Sequence, residues 1–190
     1  LINPESSDGW LEQTAMDGAR VRLVRSIELV DHKSRFSVWH PVTKSGKPIY
    51  VHSKLTIVDD EILRIGSANL NNRSMGLDSE CDVFIDCART ANGHCGKTIR
   101  DLRISLLAEH CGIAPDRVAE LLDQHGSMAA AIAAAPQQGK RLTPFVPRDL
   151  SDAEKAVADN EVLDPERPEE MLSFYRRGLF KSRILRRPQK

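Results

Sequence analysis

Apolar residues recur at helical spacing near the start of the chain, shift to the shorter period of strands, and then return to helical spacing. Between residues 9 and 32, Met16, Leu23, Ile27 and Val30 follow a helical repeat, which predicts a helix that Asp8 can cap. Phe36 to Trp39 is a short apolar run and predicts a strand. Thr43 to Pro48 is polar, with Gly46 and Pro48 as breakers, and reads as a turn. The strongest strand signal is Ile49 to Val58, rich in β-branched residues and running into Asp59-Asp60, a pair suited to a tight turn. Ile62 to Ile65 reads as the returning partner strand, 66–78 as a polar loop, and Cys81 to Ile85 as a further strand.

Beyond Cys87 the period lengthens again. Ile99, Leu102 and Leu106 mark a helix that Gly112 can end. Pro115 to Leu122 reads as a second helix with Pro near its first position, and Ser127 to Ala135 as a short Ala-rich one stopped by Pro136. Residues 137–150 read as loop, Ser151 to Glu154 as a capping box, and Asp164 to Glu170 as a charged, Pro-rich linker or surface strap. This order predicts an α/β fold: a mixed β-sheet flanked by helices, with a helical C-terminal extension. The expected units are a strand-rich half-domain over 1–90, helices over 91–163 packed on it, and a charged, basic tail over 164–190. Trp10 and Trp39 read as core residues, and Arg20, Arg22 and Arg25 as a solvated helix face.

Composition changes this picture little. At 190 residues the chain can close a real core. Its 27 basic and 27 acidic residues cancel, so no global charge draws it to nucleic acid or membrane. The balance is local: from Met171 onward there are seven Lys or Arg and no acid. That segment, with Phe174-Tyr175-Arg176-Arg177, reads either as a contact for anionic lipid or as a solvated tail. No apolar run is long enough to predict a membrane-spanning helix.

Cys81, Cys87, Cys95 and Cys111 show no CxxC spacing and fit free thiols in a reducing compartment. His94-Cys95 and His110-Cys111 match no common zinc spacing, so neither a metal nor a cofactor is predicted. The chain begins at Leu1 without an initiator Met or a signal-peptide pattern, and 1–4 read like a strand running into a loop. The expectation is a piece of a longer protein whose targeting is not legible, located in the cytoplasm or at the membrane periphery.

The chemistry is concentrated between His52 and Cys81. In a strand, residues two apart share a face, so His52 and Lys54 should project together, about 7 Å apart along the backbone. Val51, Leu55 and Ile57 would pack on the other side. Imidazole can take or give a proton near neutrality, with an ordinary pKa of about 6.5. An ammonium supplies compact positive charge, and fixed donors aimed at developing charge are often the largest catalytic term. Gly66 would let backbone approach a ligand, while the Ser67 hydroxyl and the Asn69 amide could donate to phosphate oxygen. Glu80 could accept from the far nitrogen of His52 and fix its tautomer. Asp59 reads as a turn former, and Arg73 as either an ion-pair partner or a phosphate contact.

His52-x-Lys54-x4-Asp59, followed after six residues by Gly66-Ser67-Ala68-Asn69, resembles the signature of the phospholipase D superfamily. The likeness runs on through Asn71-Asn72-Arg73-Ser74-Met75 and Asp78-Ser79-Glu80, and 9–19 and 99–163 resemble bacterial phospholipase D-like proteins. The resemblance implies a metal-free, two-step reaction on a phosphodiester. One motif histidine attacks phosphorus to give a phosphohistidine, and a histidine from a second motif protonates the leaving alcohol. Water or an alcohol then releases phosphatidic acid or a transphosphatidylation product. Carried over, His52 is a catalytic histidine, and the general acid if the family's order holds. Lys54 and Asn69 bind phosphate with Ser67 assisting, Glu80 orients His52, and Asp59 and Gly66 serve the fold.

This chain departs from the pattern in holding one motif. None of His32, His40, His94, His110 and His125 begins another. The implied partners are therefore a phospholipid at a membrane surface and a second motif, from an N-terminal half of the same protein or from a second chain. Two other readings stay open: an endonuclease of the same superfamily acting on nucleic acid, and a non-catalytic half-domain with a binding or structural role. The neutral charge and the lack of an aromatic–basic groove speak against nucleic acid.

Overall fold

A computed structural model of the chain describes residues 1–4, 10–152 and 154. The expected cap at Asp8, the side chain of Trp10, the strap over 164–170 and the basic tail lie outside what is described. In chain order the elements are α1 (Trp10–Val30), β1 (Trp39–Val42), β2 (Lys54–Val58), β3 (Ile62–Gly66), α2 (Asn72–Gly76), β4 (Asp82–Asp86), a single 3₁₀ turn (Thr90–Asn92), α3 (Gly96–Cys111), α4 (Pro115–His125), α5 (Met128–Ala134) and β5 (Arg141–Pro144).

The C-terminal helices start and stop where their local chemistry says they should. Gly112 and Gly126 end α3 and α4 in the left-handed conformation, each with φ of 66°. Pro115 opens α4, and the Ser127 hydroxyl accepts from Ala130 N–H at 3.1 Å at the start of α5. The capping box is formed: Glu154 accepts from Ser151 N–H at 2.8 Å, and Ser151 Oγ accepts from Glu154 N–H at 3.3 Å. Leu107, Cys111, Val118, Leu121, Ile132 and Leu142 belong to one buried cluster joining α3, α4, α5 and β5, and Trp39 packs against its edge.

The fold is α/β, but the single mixed sheet expected from the sequence is two antiparallel ones: β2-β3-β4 and β1-β5. The reason lies in the connections. Asp59 and Asp60, with φ of 51° and 57°, turn the chain within a few residues, so β3 must run back along β2. The segment from Ser67 to Cys81 leaves and returns at one end of the sheet, so β4 is antiparallel too.

Three boundaries differ from the pattern. The strand expected at Phe36–Trp39 forms at Trp39–Val42, opposite β5, which was read as loop. Its centre is Pro41, which has no N–H to give, but its carbonyl accepts from Ile49 N–H at 2.9 Å. The expected strand at Ile49–Val58 begins only at Lys54, because β3 ends opposite Lys54 and offers 49–53 no ladder partner. The loop 66–78 contains α2, whose first turn is capped when Asn71 Oδ1 accepts from Ser74 N–H at 2.8 Å.

Nor is Arg20 solvated as expected. Its guanidinium donates to Asn3 O at 2.5 Å and to Asp17 at 2.8 Å, and lies over the Phe145 ring. Among the described residues, no helix is long and apolar enough to cross a membrane.

Candidate active site

The register of the three-stranded sheet gathers the motif. Lys54 lies opposite Gly66, and Gly66 lies opposite Asp82. Residues 52–54, 66–69 and 80–82 therefore meet at one end of the sheet, and the Asp59-Asp60 turn lies at the other.

His52 precedes the strand instead of lying in it, and its side chain is exposed. Two contacts hold this segment where the ladder does not. The Asn3 side-chain amide stands in for the missing neighbour strand: Oδ1 accepts from Val51 N–H at 2.7 Å, and Nδ2 donates to Val51 O at 3.0 Å. The Tyr50 ring stacks on the His52 imidazole, with centroids 5.9 Å apart and planes 21° from parallel. Lys54 Nζ donates to the His52 carbonyl at 2.8 Å, which sets the ammonium beside the backbone of the histidine.

Ser67 binds the start of β4 three times. Its N–H donates to Cys81 O at 3.1 Å, its Oγ accepts from Cys81 N–H at 2.9 Å, and its hydroxyl donates to Glu80 Oε2 at 2.5 Å. The Glu80 carboxylate, expected on His52, is thus engaged by Ser67, and none of the described hydrogen bonds joins Glu80 to His52. Asn69 is exposed one residue beyond the buried Ala68. Arg73 donates to Asp78 at 3.0 Å.

Asp59 is exposed in the turn. The neighbouring Asp60 makes the tertiary contact, accepting from Arg103 Nε at 2.6 Å and Nη2 at 2.7 Å. That paired guanidinium holds the Asp60 carboxyl below the usual carboxylate range, against a partial opposing effect of burial.

Sequence reasoning missed four residues that shape the site: Asn3, Tyr50, Arg64 and Asp82. For Arg64 there was a signal, a cation inside the aliphatic run Ile62-Leu63-Arg64-Ile65. Its partner becomes visible only once the register is known. For Asn3 and Tyr50 no local pattern could have pointed to the contact.

At one end of the hairpin the arrangement thus offers an exposed imidazole, an ammonium, an amide and a hydroxyl whose proton is directed to Glu80. Such a set suits proton transfer next to an anion held by several donors.

A family model described as phospholipase D matches residues 23–155. The chain is 38% identical over 84 residues to phospholipase D zeta 1 of Arabidopsis thaliana, covering 40% of this chain and 8% of that protein. It is 45% identical over 74 residues to phospholipase D alpha 4 of the same plant, covering 39% of this chain and 10% of that protein. With phospholipase D alpha 2 of Oryza sativa subsp. japonica it shares 47% over 73 residues, 36% of this chain and 9% of that protein. The matched stretch therefore spans a tenth or less of these curated relatives. All three are plant proteins, so the bacterial affinity expected from the sequence finds no support in them. No solved structure matches the chain.

Proposed function

The chain belongs to the phospholipase D family, and on that premise we propose that it supplies one half of a phosphodiesterase active site acting on glycerophospholipids. In this reading His52 is the general acid. A histidine from a second motif, in an N-terminal half or a second chain, attacks phosphorus. The bond from phosphorus to the head-group oxygen breaks, a phosphorus–nitrogen bond forms, and the His52 proton goes to the departing alcohol. Water, giving its proton back to His52, then displaces the histidine and releases phosphatidic acid; an alcohol in its place gives the transphosphatidylated lipid.

Lys54 and Asn69 hold the non-bridging oxygens, and Ser67 assists when its hydroxyl proton turns from Glu80 to the phosphate. Glu80 orients His52 through the carboxylate oxygen that Ser67 leaves unused. Asp59 and Gly66 serve the turn and the loop.

The observation that supports this reading is the sheet register, which puts Lys54 and Gly66 across from each other and so draws the His-x-Lys segment and the Gly-Ser-x-Asn loop to one end. The test uses the full-length protein with both motifs and vesicles of phosphatidylcholine or phosphatidylglycerol. His52→Ala is expected to cut head-group release by about 10³-fold or more. Lys54→Met and Asn69→Ala should each lower kcat/KM by about 10²-fold. Release by His52→Ala at the parent rate would overturn the assignment. Turnover of single-stranded DNA with no turnover of lipid would move the substrate to nucleic acid, and an upstream sequence without a second histidine motif in a monomer would favour a binding role.

A further inference from the structure

We propose that the buried Arg64 and the half-buried Asp82 form a latch that sets the Gly66–Asn69 loop, which makes them positioning residues for the donors on that loop. The link to phosphate rests on the reading above.

Arg64 sits in the middle of β3 and is 8% exposed. A guanidinium buried in an apolar strand is strongly unfavourable unless its donors are met. The loop and the neighbouring strand engage one of its nitrogens: Nη2 donates to Ala68 O at 2.9 Å and to Asp82 Oδ1 at 3.1 Å. The same Asp82 oxygen accepts from Ala68 N–H at 3.4 Å. Both backbone groups of Ala68 are thus held by the two members of one ion pair. Ala68 is itself 2% exposed, and its chain neighbours are Ser67 and Asn69, the two donors assigned to phosphate. Fixing the peptide planes on either side of Ala68 fixes the directions in which those side chains leave the backbone.

Gly66 completes the device. A Cβ there would lie 1.7 Å from Asp82 Oδ1 and 2.7 Å from Asp82 Cα. The carboxylate therefore crosses β3 over the one position of that strand with no side chain, on its way to Arg64 and Ala68. The Ser67–Cys81 bonds then close the loop onto β4 from the other side. None of these residues belongs to the helical core cluster, so their loss should loosen the loop and spare the core. Donors held in advance at an anion site avoid the ordering that binding would otherwise require.

The experiment compares the 190-residue chain with Arg64→Met, Asp82→Asn and Arg64→Lys, by amide hydrogen exchange and by titration with inorganic orthophosphate. Exchange in the segment 66–71 should quicken by about tenfold or more in Arg64→Met and Asp82→Asn, with exchange in α3 and α4 unchanged. The orthophosphate Kd should rise by about tenfold in the same two variants. Arg64→Lys keeps the charge but lacks the fork, so it should fall between them and the parent. If Arg64→Met does not fold, Asp82→Asn and Arg64→Lys decide.

Unchanged exchange in 66–71, or a rise spread evenly over the whole chain, would refute the latch. A loosened loop with unaltered orthophosphate affinity would refute its positioning role. Failure of the parent chain to bind orthophosphate would count against the phosphate reading of the site, while the exchange rates still judge the latch.

Discussion

Gly66 shows how a position singled out by the sequence can face a contact that the sequence does not display. Its place in Gly-Ser-x-Asn suggests room for a ligand, yet the space a side chain would occupy is filled by the Asp82 carboxylate. Gly66→Ala is expected to cost about 1–3 kcal/mol, because the clash includes the Asp82 Cα, which no rotamer change can clear. Urea unfolding of the two proteins measures this; equal midpoints would contradict the close approach. Residue types at the site were legible for a plain reason: an imidazole and an ammonium two apart interrupt a run rich in β-branched residues, and their spacing to the Gly-Ser-x-Asn of the polar loop carries the family resemblance. Their contacts were not. Lys54 reaches the His52 carbonyl and Ser67 takes up Glu80, both choices made among partners that only folding brings near.

At the scale of elements, the β2–β3 hairpin is pinned to α3 at its turn by the Asp60–Arg103 pair. Asp60 has a folded pKa depressed mainly by its hydrogen bonds from Arg103. A depressed carboxyl contributes stability that is present above its unfolded pKa of about 3.9 and is lost as pH falls through the folded value. Asp60→Asn should therefore destabilise the parent fold near pH 6 and flatten the fall in stability below about pH 4. Chemical unfolding at a series of pH values reads both effects, and an unaltered slope below pH 4 would show that the pair has no such linkage. The hairpin was readable because β-branched runs flank an Asp-Asp turn. The missed elements, α2 and β5, are short and polar. One is capped by Asn71, and the other owes its existence to β1 lying opposite. The same dependence explains why the strand expected from Ile49 waits until Lys54.

Over the whole molecule, the apolar weight lies in α3, α4 and α5, and β5 joins it through Leu142, which is 1% exposed. α3 meets the sheet at β3 and grips the turn end through Arg103, so the opposite end is left to carry the site. Leu142→Ala is expected to cost about 2–5 kcal/mol, since the cavity would open among packed helices that cannot close on it. A shift in the urea midpoint checks this, and a loss below about 1 kcal/mol would mean that β5 is not part of the core.

The sequence by itself determined the order of α1, β2, β3, β4, α3, α4 and α5, the caps that end α3 and open α4 and α5, the turn at Asp59-Asp60 and the residue types of the candidate site. These follow from periodicity and from hydrogen bonds within a few positions, which a chain carries wherever it goes. Only the tertiary structure decided that the strands form two antiparallel sheets, that Asn3 stands in for a strand beside Val51, and that Arg64 and Asp82 meet across Gly66 to hold Ala68. Each of these joins positions whose neighbours are set by register and by where the adjacent strand ends, and neither is written in any local stretch of residues.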